Sequence, residues 1–234
     1  MRTSILAFIM FFIMTSASFA DSNVYITQSG AALDLDITMD GDGNAIGTTN
    51  DRTLLTGDNL DVDIDLIGAT NTITGDFIGA GESGSDDLKI NQTGDTNTTA
   101  LNVGASAATD DVSIIENREG SSGVTTYTIG SAATVQDVTV TVDVVGDDID
   151  IALTENSSSS GSDKTTDIDI ATDSDDVDII VTHTGAGAHK TKLLCTGACG
   201  TSDFTFNQTG ANSTDVDLTV TNAAGSDVDI IITD

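Results

Sequence analysis

The stretch "SDDLKINQTGDTNTTALNV" (85–103) decides how the rest of the chain is read. Apolar and polar residues alternate over 88–91, a Gln-Thr-Gly follows, then Asn97, then a second alternation over 100–103. Alternation with period two predicts a half-buried strand, and Gly, Asn and Asp between two such strands predict a turn. The same kind of unit recurs along the sequence: "VYIT", "LDLDI", "DVDIDL", "DVSII", "TTYTI", "VTVTV", "IDIAL", "TDIDI", "VDIIV", "TKLLC", "DFTFN", "VDLTV" and "VDIII". Taking Ile90, Val103, Ile114, Ile129, Val140 and Ile151, then Ile179, Leu193, Phe206, Leu218 and Ile230, the spacing is 11 to 15 residues. Two strands and two turns therefore take about 24 to 26 residues, the periodicity of a repeat architecture.

Two all-β folds have short strands at this spacing, a β-sandwich and a β-solenoid. The units resemble one another, the inward residues are small and aliphatic, and no long connection is available for a Greek-key crossover. These features favour a β-solenoid of stacked strand-turn-strand-turn coils, with the sandwich as the alternative. About seven coils are expected from Leu60 onward. Residues 21–59 are expected to form an irregular N-terminal coil and loop, 60–234 the repeat solenoid, and "SSSSGSDK" (157–164) an enlarged turn.

The first twenty residues, "MRTSILAFIMFFIMTSASFA", carry one cation, an apolar run from Ile5 to Met14, and small residues at Ser18 and Ala20. This is the pattern of a cleavable export signal, and the run is too short to span a bilayer. A secreted, extracellular or cell-surface protein with no membrane span after signal removal is expected. The chain has 38 acids against seven Lys and Arg, a formal charge of −31, and 34 of the acids are Asp. Asp disfavours helices and favours turns. Such a charge also argues against nucleic acid as a partner.

The Gln-x-Gly-x-x-Asn order at Gln92, Gly94 and Asn97 resembles the curlin repeat of bacterial curli subunits. Gln28 and Gly30 in "VYITQSG" match its first half, and Gln208, Gly210 and Asn212 in "FTFNQTGAN" match it again. Curlin subunits are exported β-solenoids that polymerise into extracellular amyloid fibres of the biofilm matrix. The resemblance implies self-association into such fibres, with a nucleator and secretion machinery as further partners. Gly in the turn would supply positive φ, and stacked Gln or Asn would form amide ladders. Departures are visible: the slot reads "IENREG" or "TVDVVG" elsewhere, Ser85 lies one residue too far from Gln92, and the last half-repeat is out of phase with the second.

Asp alternates with aliphatics in "LDLDI" (33–37), "LDVDIDL" (60–66) and "TDIDIATDSDDVDII" (166–180), so one strand face is expected to hold carboxylates. A solvated outer face is the plain reading. Rows of Asp stacked about 4.8 Å apart repel, however, and salt, protonation or Ca²⁺ would relieve them. Asp40, Asp42 and Asn44 in "DGDGN" resemble the start of a calcium loop without its distal Glu, and are the candidate metal residues; a generic turn is the other reading. No cofactor other than such Ca²⁺ is expected.

Cys195 and Cys199 flank a three-residue loop that can bring them into bridging range, and export permits a disulfide. A pair of small apolar side chains or half of a metal site are the alternatives. His183 and His189 fall in the turn-rich "THTGAGAHK", and no nucleophile elbow, phosphate loop or zinc helix is present, so no enzyme is expected. The end of the sequence, "VDIIITD", reads as a strand with an unpaired edge that recruits further strands. The competing expectation is a monomeric acidic solenoid adhesin, binding a cation, a glycan or ice through its Thr-rich faces.

Overall fold

A computed structural model describes residues 22–29, 33–47, 53–57, 59–79, 86–104, 111–130, 137–156, 163–171, 174–196, 199–210, 213–221, 225 and 227–233. The expected signal segment 1–20, the Ser-rich part of the expected enlarged turn (157–162), Gly30 and Asn212 lie outside these residues. In chain order the strands begin with β1 (Ser22–Val24), β2 (Thr27–Ser29), β3 (Asp34–Asp40), β4 (Gly43–Ile46), β5 (Thr53–Gly57), β6 (Asp61–Ile67) and β7 (Thr70–Gly79). They continue with β8 (Asp86–Thr93), β9 (Thr96–Val103), β10 (Val112–Glu119), β11 (Ser122–Ile129), β12 (Val138–Val145) and β13 (Asp148–Asn156). The last six are β14 (Lys164–Ile170), β15 (Ser174–Thr184), β16 (Ala188–Cys195), β17 (Cys199–Thr209), β18 (Ser213–Val220) and β19 (Asp227–Thr233).

These strands form two sheets in which every pairing is parallel. Sheet A runs β1-β4-β7-β9-β11-β13-β15-β17-β19, with β2 and β5 completing its first two levels. Sheet B runs β3-β6-β8-β10-β12-β14-β16-β18. From β5 onward successive strands alternate between the two sheets, which makes a β-solenoid and excludes the sandwich. In the middle a coil takes 26 residues, so that Val112 lies on Val138 and Ser122 on Asp148. Later coils tighten to 25, as Lys164 on His189 and Ala188 on Ser213 show.

Alternation puts one side chain in two between the sheets, where Ile90, Val103, Ile114, Ile129, Val140, Ile151, Ile179, Leu193 and Phe206 are all buried. At about 25 cal/mol per Å², full burial of each aliphatic contributes about 1.5–3 kcal/mol. Strands are typically eight residues rather than five, because polar residues continue the inward alternation beyond the apolar strings: β10 buries Glu116 and Arg118 after Val112 and Ile114. Two corner types alternate. The passage from sheet B to sheet A is tight, with only Gly94 and Asp95 between β8 and β9. The return passage is wide in the middle coils; it opens at Gly104 or Gly130 and closes at Asp111 or Asp137, all with positive φ, a backbone region that Gly and Asp tolerate.

The N-terminal part is more regular than its composition suggests. Residues 34–40 form a full strand of sheet B, and Asp34 to Asp40 pair with Asp61 to Ile67. The segment 40–59 is a distorted coil whose sheet A strand is interrupted, so β4 and β5 pair separately with the two halves of β7. Lys164, expected in a turn, is buried as the first residue of β14. No helix among the described residues is long and apolar enough to cross a membrane.

Candidate functional site

Three features of the solenoid can carry function: stacked amides and glycines at a corner, polar knots in the core, and the open ends.

Asn97 begins sheet A one residue after the tight corner. It occupies the same axial file as Asn71 and Asn44. The Asn44 side-chain amide donates to Ile67 O at 2.9 Å and to Asn71 Oδ1 at 3.1 Å. Asn71 donates to Asn97 Oδ1 at 2.9 Å, and Asn97 donates to Gly94 O and Glu119 O, each at 3.1 Å. This is an amide ladder, inside the chain, satisfying corner carbonyls that would otherwise be buried without donors. It stops at Gly123, the next residue in the file, where a Cβ would fall 2.4 Å from Arg118 Nε.

Gly94 has a different role from the one the sequence suggests. Its φ is not positive. It is required because the corners stack: a Cβ on Gly94 would lie 1.7 Å from Gly68 O, and one on Gly120 1.8 Å from Gly94 O. Gly210 does take positive φ, at 77°.

The glutamines do not stack on one another. Gln92 lies in sheet B and Gln208 in sheet A, so their Gln-x-Gly units turn opposite corners. Each braces the two sheets instead. Thr99 Oγ1, across the core, is 3.1 Å from Gln92 Oε1, and Gln208 Nε2 donates to Thr191 Oγ1 at 3.0 Å. Gln28 pairs with Leu55 at the start of sheet A.

Two polar knots were not foreseen. In the first, the buried Glu116 carboxylate receives Tyr127 Oη at 2.8 Å, Thr99 Oγ1 at 2.9 Å and Thr125 Oγ1 at 3.0 Å, while Arg118 Nη1 donates to Thr125 Oγ1 at 2.7 Å. In the second, Thr166 Oγ1 is 3.2 Å from Glu155 Oε1 and 3.0 Å from His183 Nε2, and His183 Nε2 is 3.4 Å from Glu155 Oε2. His189 stands edge-on to His183 with ring centres 5.4 Å apart, and Lys164 Nζ is 3.5 Å from His189 Nε2. Burial raises the Glu155 carboxyl to about 8 and lowers His183 to about 3 and His189 to about 4. At neutral pH both imidazoles and the carboxyl are therefore uncharged in the fold. The histidines sit on strands β15 and β16, not in a loop. Alternation carried the signal, since Glu155 keeps phase with Ile151 and Leu153, and His183 with Ile179 and Val181.

The acids occupy outward files. In sheet B one file starts Asp34, Asp61, Asp87; the next starts Asp36, Asp63, Lys89 and ends Asp167, Lys192, Asp217. Lysines alternate with acids in the second file: Lys192 Nζ lies 2.8 Å from Asp167, and Lys89 Nζ 4.0 Å from Asp63. The first file begins without a lysine, and desolvation followed by repulsion from Asp34, Asp63, Asp87 and Asp36 raises the Asp61 pKa. In sheet A, Asp150, Asp178, Asp203 and Asp227 share a file. Other acids serve as corner acceptors: the Asp163 N–H donates to Asp137 Oδ1 at 3.1 Å, and the Ala188 N–H to Asp163 Oδ1 at 2.9 Å. Asp40 is exposed, Asp42 is half-buried in the turn, and Asn44 is buried with its amide N–H donating into the core ladder. Cys195 and Cys199 are joined by a disulfide, with Cα atoms 6.4 Å apart.

Among the described residues β19 is the last strand of sheet A and pairs on one side only, with β17. Val228, Ile230 and Ile232 follow Phe204, Phe206 and Gln208 in the inward files. Their predecessors are at most 1% exposed, whereas they are 40, 47 and 52% exposed. At the opposite end Leu35 and Ile37 of β3 are only partly covered.

No protein-family model matches the chain, and no curated protein or solved structure is significantly similar to it.

Proposed function

We propose that this chain is an exported structural subunit that stacks end to end into extracellular, curli-like amyloid fibres of the kind that build biofilm matrix or mediate surface adhesion. The observation that carries the reading is the open C-terminal coil: a seven-residue strand paired with β17 on one edge and with no strand on the other among the described residues, backed by exposed Val228, Ile230 and Ile232. Unpaired edges recruit strands, and the solenoid interior supplies the pattern for more. The acid files oppose joining. With β3 of a second copy on β18, Asp34 and Asp36 would extend the files that end in Asp215 and Asp217. Like charges about 4.8 Å apart repel by about 1 kcal/mol per pair even in water.

The test is electron microscopy and thioflavin fluorescence of the secreted form at micromolar concentration. Slow assembly is expected at neutral pH and low salt. Acidification toward the Asp range, or millimolar Ca²⁺, should accelerate it more than NaCl at equal ionic strength. Monomeric protein under all of these conditions would refute the reading.

One observation favours a second reading, a monomeric adhesin. Thr128, Thr154 and Thr182 form a single outward file in sheet A, more regular than the sequence suggests. Ice recrystallisation and glycan-binding assays on monomeric protein test it.

A further inference from the structure

The two sheets do not end level. Among the described residues sheet A has nine levels, from β1–β2 to β19, and sheet B has eight, from β3 to β18. A second copy placed in line therefore cannot extend both sheets with every strand in place. If its β3 adds to β18, the level that its β1–β2 would occupy in sheet A is already filled by β19. We propose, on the basis of the fibre reading above, that β19 of one copy displaces β1–β2 of the next and pairs with that copy's β4 and β5, while β3 adds to β18. The occupant of the open end is thus a second copy of this chain, joined by strand exchange.

The sequences of the competing strands support the exchange. Residues 23–29 read "NVYITQS" and residues 227–233 read "DVDIIIT". The register aligns them position for position. Val24 pairs with Ile46, and the same file runs through Ile73, Thr99, Thr125, Ile151, Ile179 and Phe204 to Val228. Gln28 pairs with Leu55, whose file ends at Ile232. β19 thus offers Val228 to Ile46, Ile230 to Thr53 and Ile232 to Leu55.

β1–β2 hold that place weakly. They pair in two runs of three residues, with the Gly47 N–H donating to Val24 O and the Leu54 N–H to Ile26 O, each at 2.8 Å. β19 is one continuous strand of seven residues, every one exposed in the single copy. Exchange would bury it and leave the number of paired levels in sheet A matched to sheet B. On the sheet B side, Leu35, Ile37 and Met39 would follow Val216, Leu218 and Val220 in the inward files, apolar on apolar.

Cross-linking in the full chain tests this. Strand neighbours lie about 4.8 Å apart, within disulfide range. Asn23→Cys with Ala45→Cys, a paired position in one copy, should lock β1–β2 in place when oxidised and abolish filament growth that wild type shows in the same oxidising buffer. Unchanged growth of the locked variant overturns the proposal and leaves the fibre reading standing. Independently, Asp227→Cys with Ala45→Cys should give a ladder of disulfide-linked multimers on a non-reducing gel of the filaments. A ladder from Asp227→Cys with Asn23→Cys instead, or filaments with no ladder from the first pair, overturns it too. Absence of wild-type filaments under every condition removes the fibre reading and the exchange together.

Discussion

Replacing Gly94 by alanine separates two reasons for conserving space at a turn. The added Cβ would sit 1.7 Å from Gly68 O and 2.9 Å from Asn71 Nδ2. The first distance is half of an ordinary 3.4 Å contact, and the obstacle is backbone that is itself stacked on Gly41. The corner of one coil must therefore lift off the corner below. That movement opens the Gly68 N–H bond to Thr93 O (2.9 Å), the Asn71 bond to Thr93 O (3.1 Å) and the Asn71 bond to Asn97 Oδ1 (2.9 Å). Three hydrogen bonds, one buried and two part-buried, at about 1 kcal/mol each give a loss of about 3 kcal/mol. Gly210 provides the contrast. A Cβ there would meet Gly185 O at 3.4 Å, an ordinary contact, but φ is +77°. Alanine at 210 should therefore lose only the left-handed strain of about 1–2 kcal/mol. Urea unfolding of unassembled protein followed by circular dichroism measures both. Hydrogen exchange over residues 86–103 should report local opening in the Gly94 variant, since repeat proteins unfold piecewise. If Gly94→Ala proves milder than Gly210→Ala, the axial-crowding argument is wrong.

Asn97→Ala removes the acceptor of Asn71 and the donor to Gly94 O and Glu119 O; a loss of about 2–3 kcal/mol is expected in the same unfolding assay. The Glu155 carboxyl, raised from 4.5 to about 8, holds a proton in the fold that the unfolded chain releases. Its stabilising contribution is full below 4.5 and is lost as pH rises through about 8, so Glu155→Gln should flatten the fall of melting temperature over that window. His183, lowered from 6.5 to about 3, works with the opposite sign: its contribution is present above 6.5 and lost as pH falls toward 3, and the Glu155→Gln variant should keep this acid limb. Asp215→Asn with Asp217→Asn should speed filament growth at pH 7 and leave growth at pH 3 unchanged, read by thioflavin fluorescence.

The strands, their spacing and their inward faces were legible because alternation and a short list of turn residues specify them locally. What the sequence did not reveal depends on axial neighbours. Gly94 reads as a residue chosen for positive φ until the register places Gly68 O beneath it. Gln92 and Gln208 are out of phase in the sequence, and the topology assigns them to different sheets, but that each braces the core against a Thr of the facing strand needs the structure. The asparagine ladder forms because Asn44, Asn71 and Asn97 are each one coil apart at the same corner. Asn44 reads as part of the Asp40–Asp42–Asn44 turn until the register shows its amide N–H donating to Asn71 as well. The core polar residues are readable from phase alone, since Glu155 and His183 keep the inward alternation of the apolar residues before them.

Those polar residues bear on a difficulty built into the fold. Coils that resemble one another can pair in the wrong register, because an apolar file accepts any apolar neighbour, and a slip by one residue turns the buried face outward. The knots remove that degeneracy. In one file of sheet A the residues are Val103, Ile129, Glu155, His183, Gln208 and Ile232. Three polar side chains on consecutive levels meet Thr166 and Thr191 across the core. Shifted by one coil, Glu155 would lie beside Gln208, and His183 would lose its carboxyl partner. Glu116 works the same way in sheet B, between Ile90 and Val142. Its three hydroxyl partners come from β9 and β11, so only one stacking order satisfies it. Leaving such a group unpaired is far more costly than any single apolar mismatch. Among the described side chains, β3, β18 and β19 hold no such knot. In sheet B the inward files that would meet at a junction are aliphatic, with Val216 and Leu218 at one end and Leu35 and Ile37 at the other, and in sheet A Ile230 would meet Thr53. Register is therefore held strictly within a copy, and between copies it rests on strand length and on the outward acids.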